Sequence, residues 1–176
     1  MTNDKIWEAE PVPAEEFHTP DAWANINRAP YDEVSGVIYK RAASVKRVYY
    51  KPADAAPEMP EPWQGAGATI VRWLFSEQAG TEEGLLQGAT FEFLHDITLA
   101  PGASTGMQAH AGRDEICYVI AGRGQLRHSS TPGSPVVVRP LRPGDAVLVR
   151  GGEYHSVANL SAEEGLRLIV LGLRKT

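Results

Sequence analysis

Apolar and polar positions alternate with a period of two along most of the chain after Thr69. In "TIVRWLF" the alternation puts Thr69, Val71, Trp73 and Phe75 on one face. In "TFEFLHDITL" it puts Phe91, Phe93, His95, Ile97 and Leu99 on one face and Glu92, Asp96 and Thr98 on the other. "ICYVIAG", "GQLRHS", "PVVVR", "DAVLVR", "HSVANL" and "LRLIVLGL" continue the series, each bounded by Gly, Pro or Ser. Many short strands at close spacing, with almost no helical periodicity, predict an all-β antiparallel sandwich or barrel. No internal repeat is present, so one barrel is expected, over residues 66–176.

The first 65 residues read differently. Eight of the 13 prolines lie between Pro11 and Pro62, and all four Trp lie at or before Trp73, so this region is expected to be an extended arm with local structure. Thr19, Pro20 and Pro30 have the positions of the N-cap, first residue and stop of one short helix. "VSGVIYK" and "SVKRVYYK" read as short strands. Trp7, Phe17, Trp23 and Trp63 need burial, so the arm is expected to pack on the barrel or on a second subunit, giving a homodimer. The basic run with Lys40, Arg41, Lys46, Arg47 and Lys51 has the composition of a solvated edge strand, where Lys discourages edge-to-edge pairing. An acidic ligand or nucleic acid is the alternative partner for it.

Charge and composition narrow the function classes. A net charge of −5, from 17 basic and 22 acidic side chains, disfavours a nucleic-acid surface. Cys117 has no second Cys to pair with, so nothing requires an oxidising compartment. No secretory leader pattern and no apolar stretch of membrane-spanning length is evident, which makes a cytoplasmic location the expectation and a membrane an unexpected partner. P-loop, dinucleotide, Ser-His-Asp and CxxC signatures are missing.

Candidate chemistry lies in two stretches, "PGASTGMQAHAGRDEICYVIAG" and "PGDAVLVRGGEYHSVAN". Gln108 and His110 are two apart, a spacing that turns both to one face of an extended strand. Glu115 follows at an odd offset, and the turn-forming "AGRD" can reset the phase and return it to the same interior. His155 follows a glycine turn and opens the strand "HSVAN". These stretches resemble the two sequence motifs of the cupin superfamily. The first motif falls on Gly102, Gln108, His110, Glu115 and Gly122, with Gln108 where the family pattern has its first His. The second falls on Gly144, Arg150, Gly152, His155 and Asn159, with Arg150 where the pattern has Pro.

The resemblance implies a single antiparallel jelly-roll barrel around one divalent transition metal, with Gln108, His110, Glu115 and His155 at the ligand positions. Two imidazoles and a carboxylate suit a first-row ion with open coordination sites. Iron(II) is favoured, and manganese, nickel, zinc or cobalt fit the same donors. Gln108 is either a weak amide-oxygen ligand or a hydrogen-bond partner of a bound water or substrate. His95 is the candidate catalytic base on the interior face. Tyr118 and Tyr154 point away from their ligand neighbours by alternation, His128 is expected to face solvent, and Cys117 to be a small core residue. The implied function is a metal-dependent enzyme acting on a small organic substrate, either a dioxygenase or an isomerase, cyclase or lyase using a Lewis-acidic metal. The alternatives are a non-catalytic small-molecule-binding cupin, such as a sensor or accessory protein, and a metal-free epimerase-type barrel.

Overall fold

A computed structural model describes residues 32–34, 37–39, 47–50, 65–76, 90–131 and 133–175. The described residues form strands and turns and no helix. The strands are β1 (Asp32–Val34), β2 (Val37–Tyr39), β3 (Arg47–Tyr50), β4 (Thr69–Ser76), β5 (Phe91–Leu99) and β6 (Arg113–Ala121). They continue with β7 (Gly124–Ser129), β8 (Val137–Leu141), β9 (Ala146–Val149), β10 (Tyr154–Asn159) and β11 (Leu166–Arg174). The larger sheet has the order β3-β4-β5-β11-β6-β9, the smaller β10-β7-β8, and β1 and β2 form a separate hairpin. All strand pairs among the described residues are antiparallel. The architecture is all-β and antiparallel, as the strand pattern predicts, and consistent with the jelly-roll barrel that the resemblance implies.

Alternation decides what the barrel encloses. Phe93 and Leu99 of β5, Cys117 and Val119 of β6, and Leu166, Leu168 and Val170 of β11 face inward from the larger sheet. They meet Leu126, Leu141 and Val157 of the smaller sheet in one cluster. Leu99 and Leu166 are directly opposed and both 0% exposed. Each such side chain contributes about 1.5–3 kcal/mol by leaving water. Asn159, also buried, stitches two loops to the end of β10. Its Nδ2 donates to the carbonyls of Leu99 (3.1 Å), Ala100 (2.9 Å) and Glu164 (2.7 Å), and its Oδ1 accepts from Ser161 N (3.0 Å). The second motif's Asn is therefore a structural tie.

Two local expectations change. Of "VSGVIYK", Val34 closes β1, which begins at Asp32, and Val37–Tyr39 form β2, its antiparallel partner. β3, in the basic run read as an edge strand, pairs with β4 at the edge of the larger sheet. In β4 a register shift between Trp73 and Phe75 breaks the simple alternation, so Phe75 stands opposite Leu94 and Ser76 opposite Phe93. An inserted residue of this kind flips every later side chain to the other face. The helix expected near Thr19–Pro30, and Trp7, Phe17, Trp23 and Trp63, lie outside the described residues.

Gly122 turns the chain from β6 into β7 at φ +85°, and a Cβ there would strike the Gly165 carbonyl and lie 2.9 Å from Leu166 Cα. Gly122→Ala is expected to destabilise the fold by more than the ~1–2 kcal/mol of a left-handed residue alone. Urea denaturation checks this; an unchanged midpoint would contradict the close approach.

Candidate metal centre

His155 enters the site from the start of β10, on the inward face that also carries Val157. The segment before β6 runs beside β10 as an irregular extra strand. Gln108 N donates to His155 O (2.9 Å) and His155 N to Gln108 O (2.8 Å). This two-bond exchange makes Gln108 and His155 a directly opposed pair, whose side chains share one side. Two residues on, His110 is pinned by the second motif's glycine turn. Gly152 N donates to His110 O (3.2 Å) and Gly151 N to Asp114 Oδ1 (2.7 Å). A Cβ at Gly151 would lie 2.7 Å from Arg113 O, so the two motifs touch through backbone that only glycine permits.

The chain turns at Ala111–Gly112 and enters β6 at Arg113, with Glu115 inward. Glu115 Oε2 lies 3.2 Å from His155 Nε2, and Oε1 lies 3.6 Å from His110 Nε2. One donor atom from each of His110, Glu115 and His155 fits within 4.8 Å of the others. Neighbouring ligands around an ion at ~2.1 Å stand roughly 3.0–3.4 Å apart, so the His155–Glu115 separation of 3.2 Å falls within that range and the His110–Glu115 separation of 3.6 Å just above it. The two imidazoles meet at 5.8 Å between centroids and 64° between planes. Glu115 and His155 are buried, whereas the His110 side chain is 27% exposed, so the centre opens on the His110 side.

Electrostatics keep the donors in their ligating forms. Burial would raise the Glu115 carboxyl, but the hydrogen bond with His155 and the charges of His155, His110 and Arg113 outweigh it and hold it at about 2. Burial pushes His110 down to about 4, so its ring is neutral near pH 7. A carboxylate anion and neutral imidazole are the states that bind metal. Arg113, not singled out in the sequence, supports Glu115 from behind. Its Nε donates to Glu115 Oε1 (2.9 Å), its Nη1 to Glu92 Oε1 (2.9 Å), and its guanidinium lies 4.9 Å from the Phe93 ring centroid. The signal was the two-residue spacing Arg113–Glu115 at the start of a strand.

His95 faces the same interior but is not one of the three converging donors. Its ring stacks on Phe93 at 4.1 Å and 15°, with Trp73 at 4.8 Å. Burial, assisted by Arg113, pushes it down to about 3, and Nε2 has no hydrogen-bond partner among the described residues. His128 differs from the expectation of a solvent-facing residue. It is half-buried and directly opposes His155, on the face of Leu126. Extending the alternation of "GQLRHS" from Leu126 would have found it. Tyr118 points outward and is 45% exposed. Burial pushes the Cys117 thiol up to about 12, which leaves it inert as a nucleophile.

Residues 95–172 match the Cupin_2 family model, a cupin domain. The comparison thus supports the cupin superfamily for this stretch of the chain. An oxalate-binding protein of Thermotoga maritima is 36% identical over 63 residues, which are 36% of this chain and 47% of that protein. The match thus spans about half of that relative. The crystal structure of a protein described as a predicted oxalate decarboxylase, also from Thermotoga maritima, superposes with a TM-score of 0.56 at 21% identity. It covers 77% of this chain and 97% of the other. A Cupin 2 conserved barrel domain protein from Salinispora arenicola aligns at 23% identity and a TM-score of 0.45, over 60% of this chain and 75% of that one. Among the described residues, no helix is long and apolar enough to cross a membrane.

Replacing His155 or His110 by Ala removes one of three strong donors. Elemental analysis of the purified variants should find metal far below one ion per chain; content equal to wild type would refute the ligand set. Acid should destabilise the metal-free protein. Below about 6.5 the unfolded chain protonates His95 and His110, while the folded state resists until about 3 and about 4. The unfolded state then binds more protons, so stability falls as pH drops from about 6.5. Urea midpoints with a chelator at pH 7, 5.5 and 4.5 should decrease in that order, and His95→Phe should flatten the trend.

Proposed function

We propose that the protein is a metal-dependent cupin enzyme acting on a small carboxylate-bearing substrate. The observation that carries this reading is the convergence of donor atoms from His110, Glu115 and His155 within 4.8 Å, drawn from both sheets of the barrel. Gln108, on the side of His155, is a fourth, neutral ligand or a hydrogen-bond partner of the substrate. A divalent ion bound there, iron(II) by preference, supplies Lewis acidity or redox chemistry at positions facing the open side. Manganese, nickel, zinc and cobalt suit the same donors. The carboxylate class rests on the name of the oxalate-binding relative. Dioxygenation and isomerase, cyclase or lyase chemistry are both compatible with two His and one Glu.

His95 is the first side chain to test as a contact to substrate. A ring pushed to about 3 is a weak proton acceptor at neutral pH, so its unpartnered Nε2 orients a substrate group better than it removes a proton. Arg113 holds Glu115 in its ligating orientation and leaves Oε2 toward His155. Exposed Tyr118, Ile120 and Leu148 support a homodimer as the assembly.

A second reading, a non-catalytic carboxylate-binding protein, is favoured by the same relative's name, which states binding and no reaction. The two part in one experiment. Metal-loaded protein is incubated with oxalate and a panel of small mono- and dicarboxylates, with and without oxygen, while carbon dioxide, oxygen uptake and product spectra are followed. Turnover that His110→Ala abolishes supports the enzyme. Saturable binding without turnover supports the binding protein. Absence of both with every carboxylate would overturn the substrate class.

A further inference from the structure

The outer face of the larger sheet carries a charge imbalance unrelated to the metal centre. Arg47 of β3 stands directly opposite Arg72 of β4, and Arg72 directly opposite Asp96 of β5. These residues alternate with inward-facing Trp73 and His95, so they lie on the other side of the barrel wall. Asp96 is 1% exposed and already claimed. Arg167 holds it with two bonds, Nε to Oδ1 at 2.9 Å and Nη2 to Oδ2 at 2.8 Å. Arg72 Nη1 reaches the same carboxylate only at 3.9 Å, although its side chain is just 16% exposed.

Among the described residues, three guanidiniums share one carboxylate, a formal surplus of two positive charges, with Arg72 the more distant of its two ion-pair partners. Directly opposed like charges destabilise a sheet, and here one of them is largely out of water. Burial lowers the Arg72 pKa, with Arg47 and Arg167 pushing the same way and Asp96 opposing. The Arg72 Nε is buried and has no hydrogen-bond partner among the described residues, and the same is true of the Thr98 hydroxyl. Thr98 stands opposite both Ile70 and Arg167, diagonally across from Arg72. Discouraging edge pairing accounts for a basic edge strand but not for a mostly buried Arg on the strand inside it.

The geometry points to an oxyanion-binding site on this face, where a phosphate, sulfate or carboxylate group bridges Arg47 and Arg72. A guanidinium presents a planar fork of donors that matches two oxygens of such a group. One bound dianion neutralises the two surplus charges, and either Arg72 Nε or the Thr98 hydroxyl is available to donate to it. The ligand is a free small anion or a carboxylate from a second copy of the chain, and the chemistry of recognition is the same.

Inorganic phosphate and sulfate are the probes, titrated in thermal melts against sodium chloride at matched ionic strength. Wild type should show a saturable rise in melting temperature with phosphate. Arg47→Gln and Arg72→Gln should each weaken apparent phosphate binding at least tenfold, while His155→Ala keeps it. In chloride alone, Arg47→Gln should melt at or above wild type, because one member of the opposed pair is gone. Arg47 lies on an edge strand, so this variant stays informative if Arg72→Gln does not fold. A rise that survives Arg47→Gln, or no rise beyond chloride, overturns the site; loss of the rise in His155→Ala reassigns it to the metal centre. Sedimentation of the same samples separates the sources. A mass unchanged by Arg47→Gln supports a free anion, and a halved mass assigns the oxyanion to the second copy's carboxylate.

Discussion

One buried carboxylate organises the interior of this barrel. Glu115 is held as an anion in a place where burial alone would protonate it, because His155 approaches one carboxylate oxygen and His110 and Arg113 the other. Removing any of these partners leaves a charge or an imidazole without its counterpart in a poorly solvated setting, which costs more than the contact contributes. A divalent ion would resolve the same constraint by taking the carboxylate and both rings at once. The glycine turn of the second motif makes the arrangement possible. Gly151 and Gly152 let the chain press against the carbonyls of His110 and Arg113 and so bring His155 over Glu115.

Much of this was legible in the residues. Period-two alternation named the inward face of β5 correctly, since side chains on a pleated strand have only two directions to choose between. The pairing of two motifs identified His110, Glu115 and His155, because the glycines and the phase-resetting turn at Ala111–Gly112 are local features. The parts that stayed hidden depend on register across strands. That His128 opposes His155, that Phe75 leaves the face of Trp73 after a bulge, and that Arg47, Arg72 and Asp96 line up in one row are facts about which residue faces which. Pattern within a single strand carries no such information.

The Gln at position 108 illustrates the boundary between the two kinds of knowledge. The resemblance made it a departure from the family's ligand pattern, to be read as a weak ligand or as a hydrogen-bond partner of water or substrate. Its backbone exchanges two hydrogen bonds with the backbone of His155, so any residue there would help to seat that histidine. The side chain is free to serve the site or its ligand, and three strong donors remain without it. A neutral amide in that position leaves the centre less electron-rich and more open than a third imidazole would.

The two faces of the larger sheet divide the labour. Inward, His95 and Glu115 are neutral and anionic respectively in an aromatic and aliphatic setting; outward, Arg72, Asp96 and Arg167 form a compact ionic row. Both depend on the same strands being held in the same register. Anomalous diffraction from crystals of the purified protein, collected at the absorption edges of the first-row metals, tests the central claim most directly. The account predicts one peak about 2.0–2.2 Å from donor atoms of His110, Glu115 and His155. A map with no peak among those three side chains, in a crystal whose metal lies elsewhere or is absent after loading, would contradict it.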